Sequence, residues 1–262
     1  MSDDQQKVLT ERRGSVLVIT LNNPERLNSW SGPMGAQYFK ALDAAAADPE
    51  IRAVVLTGAG KGFCAGADMG HLEEVGEAGE TDVNAERPIT YPLSFPKPLI
   101  VAINGAAAGM GLVQSTMGDV RFAEPGVKMT TAFAKLGLIA EHGVSWLLPR
   151  IVGTSHALDL LMSSRVITSD RAYEMGLVNF ISAPGNVVDE AVAYAQQLAD
   201  SVSPRAIAVM KKQVYDHFDK DFAASFEESN TLMNEAIATG EIVEGVAAFN
   251  ERRAPKFTGL SA

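Results

Sequence analysis

Residues Pro98–Ala123 read PLIVAINGAAAGMGLVQSTMGDVRFA. Behind the proline, Leu99–Ile103 is short and wholly apolar, the pattern of a buried strand. Asn104-Gly105 is a turn dipeptide. Ala106, Ala107, Ala108 and Gly109 are small, and Met110–Met117 has the length of a helix rather than a strand. Val120–Ala123 closes the unit as a second short strand. A helix that begins at Gly109 or Met110 leaves its first N–H groups without intrahelical partners. With the positive end of the helix dipole behind them, those donors suit an oxygen that carries or develops negative charge. On these residues alone the alternative stays open: an ordinary turn, followed by alanines that only permit close packing.

The chain has 262 residues, of which 47% are hydrophobic, ample for a real core. Its 22 basic and 32 acidic side chains give a net charge of −10. That balance argues against nucleic acid or an anionic membrane surface as a partner. No apolar run reaches the roughly 18 residues of a membrane span. The start, MSDDQQK, reads as a frayed polar tail without the plan of a signal peptide. The one cysteine, Cys64, cannot form an internal disulfide, as expected of a protein in a reducing cytoplasm. His71, His142, His156 and His217 show no metal-ligand spacing, so no metal is expected.

On the N-terminal side, Ser15–Leu21 is a strand, broken by Asn22-Asn23-Pro24-Glu25-Arg26. Ser31 caps a helix with Pro33 in its first turn, ending near Ala47. Ile51–Thr57 is the next strand, which makes a βαβ unit. Gly58-Ala59-Gly60-Lys61-Gly62-Phe63-Cys64-Ala65-Gly66-Ala67-Asp68 follows at once. It fails both the P-loop and the dinucleotide spacing, but it suits a loop that brings bare backbone close to a ligand. Cys64 reads as a small buried residue rather than a nucleophile. The acidic stretch from His71 to Tyr91 reads as a cover over a pocket.

On the C-terminal side, Lys128–Thr131 is a short strand, and Phe133–Gly143 a loop of buried character. Glu141 and His142 lie just before a helix from Val144 to Leu148. The Glu141 carboxylate is either a solvated helix cap or a desolvated acid/base able to move protons near neutral pH. Beyond Thr154 helices dominate: Ser155–Ser163, Ser169–Gly176, Val187–Ser201, Pro204–Phe218, Asp221–Thr239 and Glu241–Arg252, with Leu177–Ile181 as the one strand. Strands first and helices last predict an α/β core, residues 1–195, and a helical C-terminal region, residues 196–262. Phe226, Met233 and Ile237 on one helix face call for a partner surface such as another subunit.

Taken in order, these residues resemble the enoyl-CoA hydratase/isomerase (crotonase) superfamily over nearly the whole chain. The marks are Asn23-Pro24-Glu25-Arg26-Leu27-Asn28, Val54-Val55-Leu56-Thr57-Gly58, Gly62–Asp68, Ala102-Ile103-Asn104-Gly105, Gly109-Met110-Gly111 and Asp119-Val120-Arg121-Phe122-Ala123. Gly153, Ala172, Gly176-Leu177-Val178 and Glu251-Arg252-Arg253 with Phe257 follow. The resemblance implies a spiral of ββα units with a C-terminal trimerisation region, assembled as a homotrimer or a hexamer (dimer of trimers). It implies an acyl-CoA thioester as substrate, with no cofactor beyond the CoA that the substrate carries. By position, the Ala67 and Met110 N–H groups form an oxyanion hole for the thioester, each donor contributing about 3–4 kcal/mol to an enolate-like transition state. Arg26 and Leu27 match positions that touch CoA; Ala65, Asp68, Met69 and Gly109 belong to the same substrate-binding set, with Asp68 serving mainly through loop hydrogen bonds. Lys256 and Phe257 approach the adenine end, in a neighbouring subunit.

The departures bear on the chemistry. Family hydratases set two glutamates around a water, and the corresponding positions here are Val113 and Phe133. Glu141 instead resembles the single catalytic glutamate of Δ3,Δ2-enoyl-CoA isomerases, with His142 as tuner or bystander. The expectation is isomerisation through Glu141. The alternatives are a hydratase or other crotonase-fold hydrolase or lyase using Glu141 and His142, and a non-catalytic acyl-CoA binder.

Overall fold

The structure, a computed structural model, describes residues 6–68, 70, 73, 77 and 87–260. Met69 and most of the expected 71–91 cover lie outside the described residues. The chain begins with a hairpin, β1 (Val8–Arg13) and β2 (Val16–Leu21), then α1 (Gly32–Ala47) and β3 (Ala53–Gly58). It continues through β4 (Gly62–Cys64), α2 (Tyr91–Ser94), β5 (Leu99–Ile103), β6 (Ala106–Ala108), α3 (Met110–Thr116), β7 (Val120–Ala123) and β8 (Lys128–Thr130). Then come α4 (Val144–Ser163), β9 (Ile167–Thr168), α5 (Ser169–Glu174), β10 (Phe180–Ile181), α6 (Val187–Ser201), α7 (Pro204–Asp216), α8 (Phe222–Ala238) and α9 (Glu241–Glu251).

The strands form a six-stranded sheet, β1-β2-β3-β5-β7-β10, and a four-stranded sheet, β4-β6-β8-β9. β2, β3, β5, β7 and β10 run parallel, as do β4, β6 and β8; β1 and β9 are antiparallel edges. The chain therefore passes from the large sheet to the small one in successive pairs: β3 to β4, β5 to β6, β7 to β8. This is the spiral of ββα units that the resemblance implied.

Strand residues alternate between the faces of the large sheet, and both faces are buried. Val54, Leu56, Leu99, Val101 and Ile103 pack with Met34, Tyr38 and Leu42 of α1. Val16, Val18, Val55, Ile100 and Ala102 pack with Val187, Ala191 and Ala195 of α6, whose small side chains recur every fourth residue and let the helix lie close. Continuous apolar runs such as Leu99–Ile103 are the consequence. The Ser31 hydroxyl caps α1 by accepting from the Met34 N–H, as its sequence suggested.

Several sequence expectations change. Val8–Arg13 is a strand, missed because only Val8 of the six residues is buried, so no alternation shows. Ala106–Ala108, which the sequence showed only as small residues between a turn and a helix, is one of the two inner strands of the small sheet. Leu136 and Ile139 are 52% and 79% exposed, so Phe133–Gly143 lacks the buried character its composition suggested. The helix that starts at Val144 runs on beyond Leu148. Gly153 (φ 77°, ψ 157°) leaves the helical region, so α4 is two helices meeting at a kink and Ser155–Ser163 stays a separate helix, as its sequence suggested. Leu177–Ile181 contributes a strand only at its end, because the Leu177 and Val178 N–H groups both turn back onto the Ala172 carbonyl.

Candidate active site

At the end of β3 the chain crosses to β4 through Ala59, Gly60 and Lys61 with backbone packed on backbone. A methyl group on Gly58 would lie 2.4 Å from the Gly62 carbonyl oxygen, and one on Gly105 would lie 2.1 Å from that of Lys61. Buried Asn28, in the left-handed region at φ 56°, braces this crossing. Its amide donates to the Ala59 and Gly62 carbonyls at 2.9 and 2.8 Å, and its carbonyl accepts from the Asn23 N–H at 2.8 Å. Asn104 braces it from the other side, accepting from the Gly58 N–H at 3.1 Å and donating to the Gly60 carbonyl at 3.1 Å. Asn104 is thus a clamp between the two crossovers and more than a turn residue. Sequence reading missed these amide roles, although both residues stood within the quoted motifs. Asn28→Ala removes its three side-chain bonds, leaves the Gly62 carbonyl with only the longer Asn104 bond at 3.4 Å, and puts alanine in the left-handed region. It lowers folding stability by about 3 kcal/mol. A thermal melt drops by roughly 5–10 °C; a shift under 2 °C would contradict the bracing role.

Two chain segments meet where these crossovers end. Trp30 and Ala67 form a parallel bridge in which the Trp30 N–H donates to the Gly66 carbonyl (2.7 Å) and the Asp68 N–H to the Trp30 carbonyl (3.0 Å). The Ala67 N–H therefore points away from Trp30 and has no partner among the described residues. The Met110 N–H, first of α3, also has none. Gly66 (φ 118°) and Gly109 (φ 47°) precede these donors, and a methyl on Gly109 would lie 3.7 Å from the Gly66 Cα. A methyl on Gly111 would lie 2.0 Å from the Cys64 carbonyl oxygen, so the start of α3 rests directly on the end of β4. Two unpartnered backbone donors thus belong to adjoining loops, with no side chain needed to supply either.

Around them, the Asp68 carboxylate accepts from Arg26 at 2.8 Å and from the Gly70 N–H at 3.1 Å, which gives Asp68 its expected loop-holding contacts. Leu27 sits in the left-handed region (φ 48°), is 42% exposed, and its carbonyl accepts from the Ala65 N–H at 3.0 Å. Arg26, Leu27, Ala65, Ala67, Asp68, Gly109 and Met110 therefore share one set of interlocked loops. Cys64 lies buried beneath, and burial pushes its thiol up to about 11, so it stays a neutral thiol at neutral pH.

α4 packs against α3, and the turn Phe133–Leu136 packs against α4. Val113 and Phe133 are buried in the same apolar cluster as Val144 and Leu147. Glu141 stands immediately before α4, its carbonyl accepting from the Val144 N–H at 3.1 Å and its side chain 35% exposed. His142, at φ 55°, holds Nε2 3.8 Å from a Glu141 carboxylate oxygen. Partial burial lowers the His142 pKa, against the pull of Glu141, which favours the neutral imidazole near pH 7.

Phe257 lies elsewhere in its own chain. Its carbonyl accepts from Arg52 at 2.6 Å, next to the start of β3, whereas the donor loops leave from the end of that strand. Its ring faces Gly245 of α9. Among the described residues no three His, Cys, Asp or Glu side chains converge as metal ligands, and no helix is long and apolar enough to cross a membrane.

Residues 11–260 match the family described as Enoyl-CoA hydratase/isomerase. The chain is 33% identical over 258 residues to a 1,2-epoxyphenylacetyl-CoA isomerase of Escherichia coli (strain K12), covering 96% of this chain and 98% of that one. It is 34% identical over 255 residues to a putative enoyl-CoA hydratase of Thermus thermophilus, covering 94% and 98%. Among solved structures, an enoyl-CoA hydratase from Polaromonas sp. JS666 superposes with a TM-score of 0.89 at 30% identity, covering 95% of this chain and 99% of that one.

Proposed function

The chain belongs to the enoyl-CoA hydratase/isomerase family, an enzyme family acting on CoA thioesters, and on that premise we propose that it isomerises 3-enoyl-CoA to 2-enoyl-CoA with Glu141 as the acid/base. The observation that carries this reading is the contrast between Glu141 and the two hydratase positions. Val113 and Phe133 are buried in an apolar cluster, where neither can activate a water. One carboxylate suffices for a proton shift. Glu141 takes the proton from C2, and the electron pair spreads through the thioester onto its oxygen as a dienolate. The Ala67 and Met110 N–H groups stabilise that oxygen. Glu141 then returns the proton to C4, so the double bond moves and no atom is gained or lost.

Arg26 and Leu27 flank the CoA moiety in this reading, and Lys256 and Phe257 reach it from a neighbouring subunit. A homotrimer or a dimer of trimers suits the apolar residues left exposed on α7, α8 and α9, among them Met210, Val214, Phe226, Met233, Ile242 and Phe249. The E. coli relative is an isomerase by name, and that favours rearrangement within a CoA thioester over addition of water. The second reading is hydration by Glu141 with His142, favoured by their 3.8 Å approach and by relatives named hydratases. The test offers 3-trans-hexenoyl-CoA and crotonyl-CoA side by side. Gain of enoyl absorbance at constant mass is the expected result. Addition of one water to crotonyl-CoA would instead establish the second reading, and thioester binding without turnover would leave a binder.

A further inference from the structure

The Met110 donor sits at one end of α3, and an unusual set of buried charges holds the other end. Helix α3 has seven residues, a rod of about 10 Å. Gly118 and Asp119 follow it. The Asp119 carboxylate accepts from the Leu99 N–H at 2.8 Å, and the same oxygen accepts from Lys211 Nζ at 2.9 Å. The Asp119 N–H donates back to the Leu99 carbonyl at 2.8 Å. Lys211 belongs to α7, 92 positions further along the chain, and its side chain is only 8% exposed. It also donates to the Pro92 carbonyl at 3.2 Å. Beside this pair, buried Arg121 donates to the Gly118 carbonyl at 2.7 Å and to the Leu177 carbonyl at 2.6 Å. Burial pushes the Asp119 carboxyl up and the Lys211 ammonium down, and each charge opposes the shift on the other.

Among the described residues the hydrogen bonds of these side chains go to Leu99, Pro92, Gly118, Leu177 and each other, not to the donor loops, and the reaction as written does not use them. They act on geometry. A short helix pinned at its start by the contact of Gly111 with Cys64 pivots if its far end is free, and a pivot redirects its first N–H. We propose that Lys211 is a positioning residue for the thioester: through Asp119 it clamps the C-terminal end of α3 and so keeps the Met110 N–H aimed at the carbonyl oxygen. The helical C-terminal region thereby sets the geometry of a donor in the core. The inference rests on the acyl-CoA oxyanion reading and is independent of Glu141 as the base.

The full-length protein is loaded with hexanoyl-CoA carrying a 13C-labelled thioester carbonyl, which does not turn over by isomerisation. Infrared difference spectra then read the carbonyl stretch, which N–H donors shift to lower frequency. In wild type the stretch is red-shifted. In Lys211→Met the red-shift falls by about half, and kcat with 3-hexenoyl-CoA falls about tenfold while KM stays within about twofold, because the donor acts chiefly in the transition state. Asp119→Asn, nearly isosteric, behaves alike and serves if the methionine variant does not fold. A folded variant with a lower melting temperature but a wild-type carbonyl stretch overturns the proposal, since a merely structural pair would do that. A wild type with no red-shift overturns the oxyanion reading and the inference together. A red-shifted wild type that fails to isomerise removes only the Glu141 assignment.

Discussion

Glu141→Gln lowers kcat for the isomerisation of 3-trans-hexenoyl-CoA by about 10³-fold, within the range that removal of a positioned proton carrier produces. Glutamine keeps the shape and a carbonyl acceptor, so the change isolates proton transfer. KM changes little, because neither the CoA contacts nor the backbone donors depend on that carboxylate. The turn before α4 also survives, since its bond to Val144 comes from the Glu141 main chain. Loss of activity with intact thioester binding would exclude both the non-catalytic reading and a base elsewhere. Retention of more than a tenth of wild-type activity would move the proton shift to another group, with His142 the nearest candidate at 3.8 Å.

Met110→Pro tests the opposite side of the reaction. Proline at the first position of a helix fits its fixed φ, and the N–H it lacks has no intrahelical partner to lose. Gly109, the residue before it, has no Cβ to clash with the ring. The substitution therefore deletes one donor with little damage to α3. The expected fall in kcat is about 10²–10³-fold, the effect of removing one oxyanion donor. Met110→Leu, which keeps the N–H and nearly the same buried volume, stays within a few-fold of wild type. Equal losses in the two variants would show that the side chain matters and the amide does not. Together the Glu141 and Met110 variants test the proposed proton carrier separately from the proposed charge stabiliser, since Glu141 precedes α4 and Met110 begins α3.

Much of the donor half of this site was legible in the residues. Leu99–Ile103 is a five-residue apolar run bounded by Pro98 and Asn104, and it is a buried strand. Val187–Ser201 shows its apolar face at helical spacing and is a helix over those bounds. Both patterns are complete within a short window, where side-chain period reflects backbone geometry directly. Val8–Arg13 was invisible for the same reason. As a largely exposed edge strand it has no buried face to advertise, and only pairing with β2 makes it a strand. Leu136 and Ile139 misled in the other direction, since apolar side chains in a loop can remain exposed.

Sequence alone determined the buried strands, the helix that begins after Gly109, the family motifs and the absence of carboxylates at positions 113 and 133. Each is a matter of which residue stands where, or of a period confined to neighbouring residues. Tertiary structure alone decided that Gly66 and Gly109 adjoin, that Asn28 and Asn104 brace the crossings, that Phe257 sits beside the start of β3, and that Lys211 reaches Asp119. Those contacts join residues tens to hundreds of positions apart. No local preference encodes them: they exist because two sheets and their helices bury their faces against one another, and close packing brings these residues together.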